Sequence, residues 1–462
     1  MVEQLSTVES TARGRLARVE VPRSSHALWE RPADSSDPID LLEEQAKSRA
    51  ADLVPIRHGR MLVSPFTYYR GAALPMASDL AGTGNSGLKT QICGDAHLSN
   101  FGIFGSPERH LFFDVNDFDE TALGPWEWDV KRLASSLEVA GRENGFTRKQ
   151  RKRIVRRAVR SYRETMIEFA RMPMLGVWYA HLDMDELLPR FRSLLNPRKT
   201  PSVWRAVAKA RAHDSHQAFD KLCHVLDGQP RIISDPPLIM PVEAFVEGVD
   251  PEAALEGLHK IIRSYRRTLE ADRRHLLERY RFVHLARKVV GVGSVGTEAW
   301  ILLLIDDRGS PLLLQVKEAD TSVLEQFTSK SKFSNHGHRV VAGQRLMQAA
   351  SDIFLGWERF AWEGDQRDYY IRQLRDWKGS ADIAGMTAEG MELWGLMCGW
   401  TLARGHARSG DRVAIASYLG KSDVFDRAIA EFAVAYADQN EIDYRALQEA
   451  VASGRLAAET GI

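Results

Sequence analysis

The chain has only three cysteines in 462 residues, Cys93, Cys223 and Cys398, odd in number and far apart. That excludes a disulfide framework or a cysteine-rich zinc site and fits a reducing compartment. It also lacks net charge: 62 Lys+Arg balance 62 Asp+Glu, so no global field draws it to nucleic acid or an anionic membrane. Long apolar runs are missing too. The longest purely aliphatic stretch is Ile301–Ile305, far short of the ~20 residues that span a bilayer. The polar N-terminus, MVEQLSTVESTARGRL, has acids among its basic residues, unlike a targeting segment. These absences predict a soluble cytoplasmic protein, with no nucleic-acid and no membrane partner.

The hydrophobic content, 44%, is enough for one large or two to three ordinary domains. Residues 1–40, rich in Ser, Pro and Arg, read as a poorly packed polar arm. From Met61 to Leu133 the sequence is dense in Gly, Asp and aromatic residues. Its short apolar bursts, KTQIC and HLFFDV, read as strands between functional loops. Thr147 is placed to cap a helix in which Ile154, Val155, Ala158, Val159 and Tyr162 recur at helical spacing. Helical patterns continue to about Arg281, interrupted by DGQPRIISDPPLIMP, whose prolines and glycine predict a loop or extended segment. From Arg287 the period changes to β-rich runs with a glycine loop and an Asp306–Ser310 turn, predicting a small antiparallel sheet. Val340–Ala350 reads as helix, IFLGWERFAW and DYYIRQL as strands, and Leu393–His406 and the remainder as helix.

The sharpest chemical signal is CGDAHLSNFG, Cys93–Gly102, followed by FFDVNDFDE, Phe112–Glu120. A phosphoryl-transfer site needs a carboxylate to orient a hydroxyl and further oxygen ligands to hold magnesium against phosphates. Asp95, Asn100 and Asp117 supply those three groups, although turn-forming residues satisfy so short a pattern equally well. The second signal is GVGSVG, with Gly291, Gly293 and Gly296, followed by Lys317 in LLLQVKEA. The strand-like TEAWILLLI after the glycines argues against a dinucleotide fold, which requires a helix there. A hairpin with a surface lysine is the bland alternative; against it, an unpaired ammonium inside an apolar run is costly.

GDAHLSN resembles the catalytic loop of the aminoglycoside phosphotransferase and choline kinase branch of the protein-kinase-like superfamily, and VNDFDETALGPWEWDVKRL resembles that branch's metal-binding segment. The resemblance implies Asp95 as general base, Asn100 and Asp117 as magnesium ligands, Asp119 as a second acid beside the metal, and Asp129 as a brace under the catalytic loop. His97 would touch the transferred phosphate or pack in the loop. Gly291, Gly293, Gly296 and Lys317 would hold the phosphates of ATP, and the YYIRQL strand and hinge, with Gln373, would lie beside adenine. The helix around Val340–Ala350 should carry a glutamate partner for Lys317, but it offers Gln344; Glu318 and Glu325 are the nearest acids in sequence.

The order of these parts differs from an ordinary kinase, because the catalytic loop precedes the glycine loop. LMCGWTLARGHARSGD, which resembles the helix leading into a catalytic loop, lies near the C-terminus. The implied fold is an α+β, bilobal, circularly permuted kinase-like unit: an arm over 1–40, a large helical lobe over 41–286, a small nucleotide lobe over 287–376, and the remainder of the large lobe over 377–462. From about Asp40 onward the chain is also similar to an uncharacterised bacterial family, domain of unknown function 2252, through SPFTYYRGAA, CGDAHLSNFG, NDFDETALGPWEWDVKRL, GQRLMQAASDIFLGW, YYIRQLRDWKGS and GHARSGD. Arg70 in YYRG would meet a phosphate or acidic substrate, or brace a buried carboxylate.

The implied activity is ATP- and magnesium-dependent phosphotransfer to a hydroxyl of a small molecule or protein. Non-catalytic nucleotide binding and AMP transfer are the alternatives. GDAH also resembles the opening of calcineurin-like metallophosphoesterases, but their later motifs are missing, and SNHGH at Ser334 is a poor substitute. AGTGNSGLKT misplaces the lysine of a P-loop and reads as a turn. The basic stretch Arg148–Arg160 reads as a solvated helix face, and Cys93 and the aromatic residues of WEWD as core.

Overall fold

The computed structural model describes residues 5–32, 35–187, 207–208, 215–245, 251–289, 291–362, 365–374, 377 and 379–462. The chain is a mixed α+β protein. Its principal helices are α1 (Thr7–Glu20), α2 (Pro65–Gly71), α3 (Trp126–Glu143), α4 (Arg148–Arg171), α5 (His336–Met347), α6 (Ala388–Ser409), α7 (Arg412–Leu419) and α8 (Val424–Ala452). Strands β1 (Lys89–Ile92) and β4 (Ala122–Pro125) pair antiparallel, and β2 (Phe101–Gly105) and β3 (Leu111–Val115) form a hairpin. A six-stranded antiparallel sheet contains β5 (Ile239–Pro241), β6 (Arg281–Lys288), β7 (Ala299–Ile305), β8 (Pro311–Glu318), β9 (Gly356–Trp362) and β10 (Asp365–Gln373), in the order β5-β6-β7-β8-β10-β9.

Where it is described, the N-terminal segment corrects the expectation of a poorly packed arm. Ser6 and Glu9 form a reciprocal capping box that starts α1. Its buried residues are Ser10, Gly14 and Ala17, and a Cβ added to Gly14 would lie 2.0 Å from the carbonyl oxygen of Ala414 in α7. His26 is buried with Nε2 2.7 Å from the Tyr418 hydroxyl, and Arg31 pairs at 2.6 Å with both Asp79 and Asp443. Small and polar residues make these contacts, so no apolar periodicity marked them.

The helical core forms around α3, α4, α6 and α8. A Thr147–Gln150 capping box starts α4, and its apolar stripe meets α6 so closely that a Cβ on Gly399 would lie 2.2 Å from the Ala158 carbonyl oxygen. The basic face of α4 is matched by acids: Arg151 with Glu138, Arg153 and Arg157 with Glu392, and Arg156 with Asp423. Trp126 stacks on Tyr162 in the core, and Cys93 is buried there.

The sheet starts earlier in the chain than Arg287, because the proline-rich run, expected as a loop or extended segment, supplies the edge strand β5 and the whole of β6 precedes the glycine loop. One face, including Trp300, Leu302, Leu314 and Ile371, packs under Tyr265 and Leu269. The other, including Ala286, Ile301, Leu303 and Leu313, is covered by Ala218, Leu222 and Ile232. α5 follows β8 and precedes β9.

Lys131 of α3 is 2% exposed, with Nζ 4.7 Å from the centre of the Phe432 ring. Burial depresses its ammonium to about 8, against an ordinary 10.5. Between those values the unfolded chain binds a proton that the folded chain does not, so this group makes wild-type stability rise with pH. The melting temperature of Lys131→Met minus that of wild type should therefore fall as pH rises from about 7.5 to 10. A difference that does not vary with pH would show that Lys131 stays charged in the fold.

Candidate functional site

The loop after β1 is shaped by one buried carboxylate. Asp129, in the first turn of α3, accepts the backbone N–H groups of Cys93 at 2.9 Å and Gly94 at 3.0 Å. His406 of α6 places Nε2 3.1 Å from the same carboxylate, while its Nδ1 lies 2.9 Å from the Tyr162 hydroxyl. Gly94 has φ +84°, and a Cβ there would lie 2.3 Å from the Glu120 carbonyl oxygen. Conformation and space both require glycine at this turn.

Asp95 follows immediately. Its Oδ1 accepts Nε of Arg132 at 2.8 Å, and Arg132 also donates to the Tyr69 carbonyl and lies 3.9 Å over the Tyr69 ring. Burial raises the Asp95 carboxyl above its ordinary range, and Arg132 opposes the shift. Asn100 donates its amide to the Asp95 carbonyl at 2.8 Å, which turns the amide oxygen away from that bond. His97 sits 3.5 Å from Asp95. Burial pushes its imidazole far below the ordinary value, so it is neutral near pH 7, and its Nδ1 is buried without a hydrogen-bond partner.

The β2–β3 hairpin carries the chain to the second acidic group. Asp114 accepts Arg404 of α6 at 2.7 and 2.8 Å, fixing the hairpin to the helical core. Past β3, the Asp119 N–H caps Asp117 Oδ1 at 3.1 Å. Lys317 of β8 is 2% exposed, bonded to Asp119 and 3.7 Å from Asp117, while the Tyr370 hydroxyl donates to Asp119 at 2.8 Å. Burial alone would lower the Lys317 ammonium; Asp117 and Asp119 reverse that and hold it above its ordinary value. Asp119 is held below the carboxylate range, whereas burial and the neighbouring Asp119 charge raise Asp117.

Lys317 thus pairs with aspartates of the large lobe rather than with a glutamate of α5. Gln344 of α5 donates to Gln348, Glu318 accepts the Glu298 N–H and Arg367, and Glu325 accepts the Ser331 N–H. α5 contributes Arg339 instead, which donates to the carbonyls of Asp119, Thr121 and Asp320 at 2.7–2.8 Å.

Arg49 holds the glycine loop between β6 and β7 by bonding the carbonyls of Gly293 and Val295, and the Ala50 N–H donates to the Gly296 carbonyl. Gly296, with φ +95°, packs on the Arg49 side chain.

Asp95, His97, Asn100, Asp117, Asp119, Lys317, Gly291, Gly293, Gln373 and Arg70 all line one cleft of about 390 Å³. Asp129 lies beneath its floor and Gly296 outside its lining. Arg70 makes no hydrogen bond or ion pair among the described residues, and its Nε is buried without a partner, but its charge favours the Asp95 carboxylate through space. The direct brace on Asp95 is Arg132. No motif singled out Arg132, although its position three residues after Asp129 puts both on one face of α3.

Among the described residues no group of three His, Cys, Asp or Glu side chains is placed to hold a metal. Asp117, Asp119 and Asn100 nevertheless line the same cleft, and carboxylate and amide oxygens are donors that suit magnesium. The donor set fits on condition that Asp119 is shared with Lys317.

The chain is therefore a mixed α+β protein with a polarised cleft between a helical lobe and an antiparallel sheet. It belongs to the family described as "Uncharacterized protein conserved in bacteria (DUF2252)", whose model matches residues 49–450. No curated protein and no solved structure matches it.

Removing Lys317 leaves Asp117 and Asp119 facing each other without their cation. Lys317→Met should lower stability by several kcal/mol, on the order of a broken buried pair. Adding Asp119→Asn should recover part of the loss, with a coupling of about 1–3 kcal/mol in the double-mutant cycle. Additive effects in chemical denaturation would show that the pair does not join the lobes.

Proposed function

We propose that the cleft is a kinase-like phosphotransferase site that uses ATP and magnesium, in a circularly permuted bilobal fold. The observation that carries the reading is the sheet order. Strands β6, β7, β8, β10 and β9 lie side by side, α5 is inserted after β8, and Lys317 of the third strand faces Asp117 beyond the hairpin that follows Asp95 and Asn100. Both features support the reading of a small lobe facing a catalytic loop. Permutation is supported where α6 ends against β1: a Cβ on Gly410 would lie 2.3 Å from Thr90, and the Ser409 hydroxyl is 3.4 Å from the Gln91 carbonyl oxygen. An unpermuted chain would pass there directly from helix to catalytic loop.

In this reading Asp95, fixed by Arg132, accepts the proton of the acceptor hydroxyl as its oxygen attacks the terminal phosphorus and the bridging oxygen of the donor leaves with the bonding pair. Lys317 and the amides beside Gly291 and Gly293 hold the phosphates. Neutral His97 stands next to Asp95, in reach of the transferred group. Asn100, Asp117 and Asp119 would hold magnesium, which neutralises charge on the phosphate oxygens when bound.

One observation favours a non-catalytic nucleotide-binding reading: the ion pair between Lys317 and Asp119 already engages the lysine needed for phosphates. AMP transfer would use the same groups with the donor reversed, and the mass added to an acceptor separates AMP from phosphate. A metallophosphoesterase would instead hydrolyse an aryl phosphate without ATP.

ATP with magnesium should raise the melting temperature of wild type, a ligand at 100 times its Kd contributing about 2.7 kcal/mol. Asp117→Ala should lose most of the magnesium-dependent part. No magnesium-dependent shift, or equal shifts in both proteins, would contradict this use of the cleft. Once an acceptor is found by product mass, Asp95→Asn should lower turnover by roughly 10²–10⁴-fold while keeping nucleotide affinity; near-normal turnover would remove Asp95 from the role of base.

A further inference from the structure

We infer that the cleft recognises its donor through a chain of phosphate groups and not through a nucleobase. This rests on the phosphotransfer reading and narrows the ligand within it. A base is a flat ring that binds between apolar walls. The apolar part of the sheet face beside the cleft is already used: Ala286, Ile301, Leu303 and Leu313 are covered by Ala218, Leu222 and Ile232 of the same chain. Along β8, that face runs from Leu313 through Gln315 to Lys317, so apolar wall gives way to polar wall before the cleft is reached. Gln315 is directly paired with Arg372 of β10. Its Oε1 accepts Arg372 Nε at 3.1 Å, and Arg372 Nη1 also donates to the Asn116 carbonyl at 3.0 Å. Where a base would slide along the strands, a hydrogen-bonded guanidinium–amide pair is built in.

The charges point to the ligand that the cleft does take. Arg70, Lys288, Lys317 and Arg372 all line it. Arg70 comes from α2, against the glycine loop, where a Cβ on Gly291 would lie 3.9 Å from its Nη2. Its guanidinium has no hydrogen bond or ion pair among the described residues, and Nε is buried without a partner. A desolvated, unpaired donor of this kind is costly until an anion meets it. Asp95 attracts the Arg70 guanidinium from a distance, but that carboxylate is hydrogen-bonded to Arg132, and no described side chain accepts a hydrogen bond from Arg70. A phosphate chain running between Lys317 and Arg70, under Gly291 and Gly293, satisfies both cations, and nucleoside triphosphates and inorganic polyphosphate share that chemistry.

The test is calorimetric titration of the full chain, in magnesium, with ATP, GTP, CTP and inorganic tripolyphosphate. The four Kd values should agree within about threefold, and Arg70→Ala should weaken all four by a common factor of about tenfold or more, the loss of a charge-assisted contact. Arg70→Gln serves as a second variant; since no hydrogen bond is lost in the free protein and a desolvated, unpaired donor is removed, neither variant should melt markedly below wild type. ATP binding at least tenfold tighter than tripolyphosphate would overturn the inference while leaving the phosphotransferase reading intact. Unchanged affinities in both Arg70 variants would overturn the assignment of Arg70. Binding of none of the four would refute the phosphotransferase reading itself.

Discussion

The cleft depends on the carboxylate of Asp129. It sits at the start of α3, where backbone N–H groups and the helix dipole favour an anion, and it ties together three segments far apart in sequence: the Cys93–Gly94 turn, α3 itself, and His406 of α6. The turn at Gly94 leaves no room for a side chain, so the loop has little freedom once Asp129 holds it. The direction in which Asp95 points follows from that constraint. The same helix then sends Arg132 to Asp95 and the Ser136 hydroxyl to the Leu98 N–H at 3.2 Å. This accounts for the burial of Asp129, Arg132 and Ser136; Glu127 and Glu138 of the same helix instead accept from the Ser86 N–H and from Arg142 and Arg151. It is a core helix by position and a supporting frame for the loop by chemistry.

The helical core and the sheet meet across charge as well as across an apolar seam, in which Val340, Val341, Met347 and Tyr370 join the cluster of Ile92, Phe113 and Leu402. Lys317 leaves the sheet and ends between Asp117 and Asp119, while Arg339 of α5 crosses to the carbonyls of the same loop and Ser322 bonds Glu120. Desolvated ion pairs hold geometry more surely than they add stability. An interface built of them is fitted to exchange partners, because an entering anion can take the lysine that now serves an aspartate. The neutral net charge of the whole chain conceals this: the compensation is exact in sum and uneven in space.

Local features were legible in the sequence because local physics decides them. The Thr147 cap, the strands at KTQIC and HLFFDV, and the alternation of helix and strand after Arg287 depend on neighbours a few residues away. The gathering of Asp95, Asn100, Asp117 and Lys317 into one cleft was legible only through the resemblance, since no spacing rule links residues separated by two hundred positions. The packing of α1 was not legible, because Gly14 and Ser10 make close contact by being small and leave no apolar period. Arg70 and Arg132 show the limit most clearly. Both are arginines upstream or downstream of the Asp95 loop, with nothing in the local sequence to tell them apart. Which one pairs with Asp95 is decided by α2 and α3 meeting at Tyr69, whose ring carries Arg132.

Segments from the early and late parts of the described chain touch. Glu459 donates its N–H to the Pro55 carbonyl at 2.8 Å, His58 Nδ1 lies 2.8 Å from the Ala457 carbonyl oxygen, and a Cβ on Gly59 would lie 1.7 Å from the Glu459 carbonyl oxygen. Pro55, His58 and Gly59, early in the family-matched span, are therefore packed on Ala457 and Glu459, just beyond it. Adjacent ends are what moving a chain break around a closed topology requires, since the old ends must be joined and the new ones opened without disturbing the core. Gly410, at the end of α6, rests on Thr90 of β1 although the two are far apart in the chain. The loop after β1 is tied to α6 through space, by the His406–Asp129 contact.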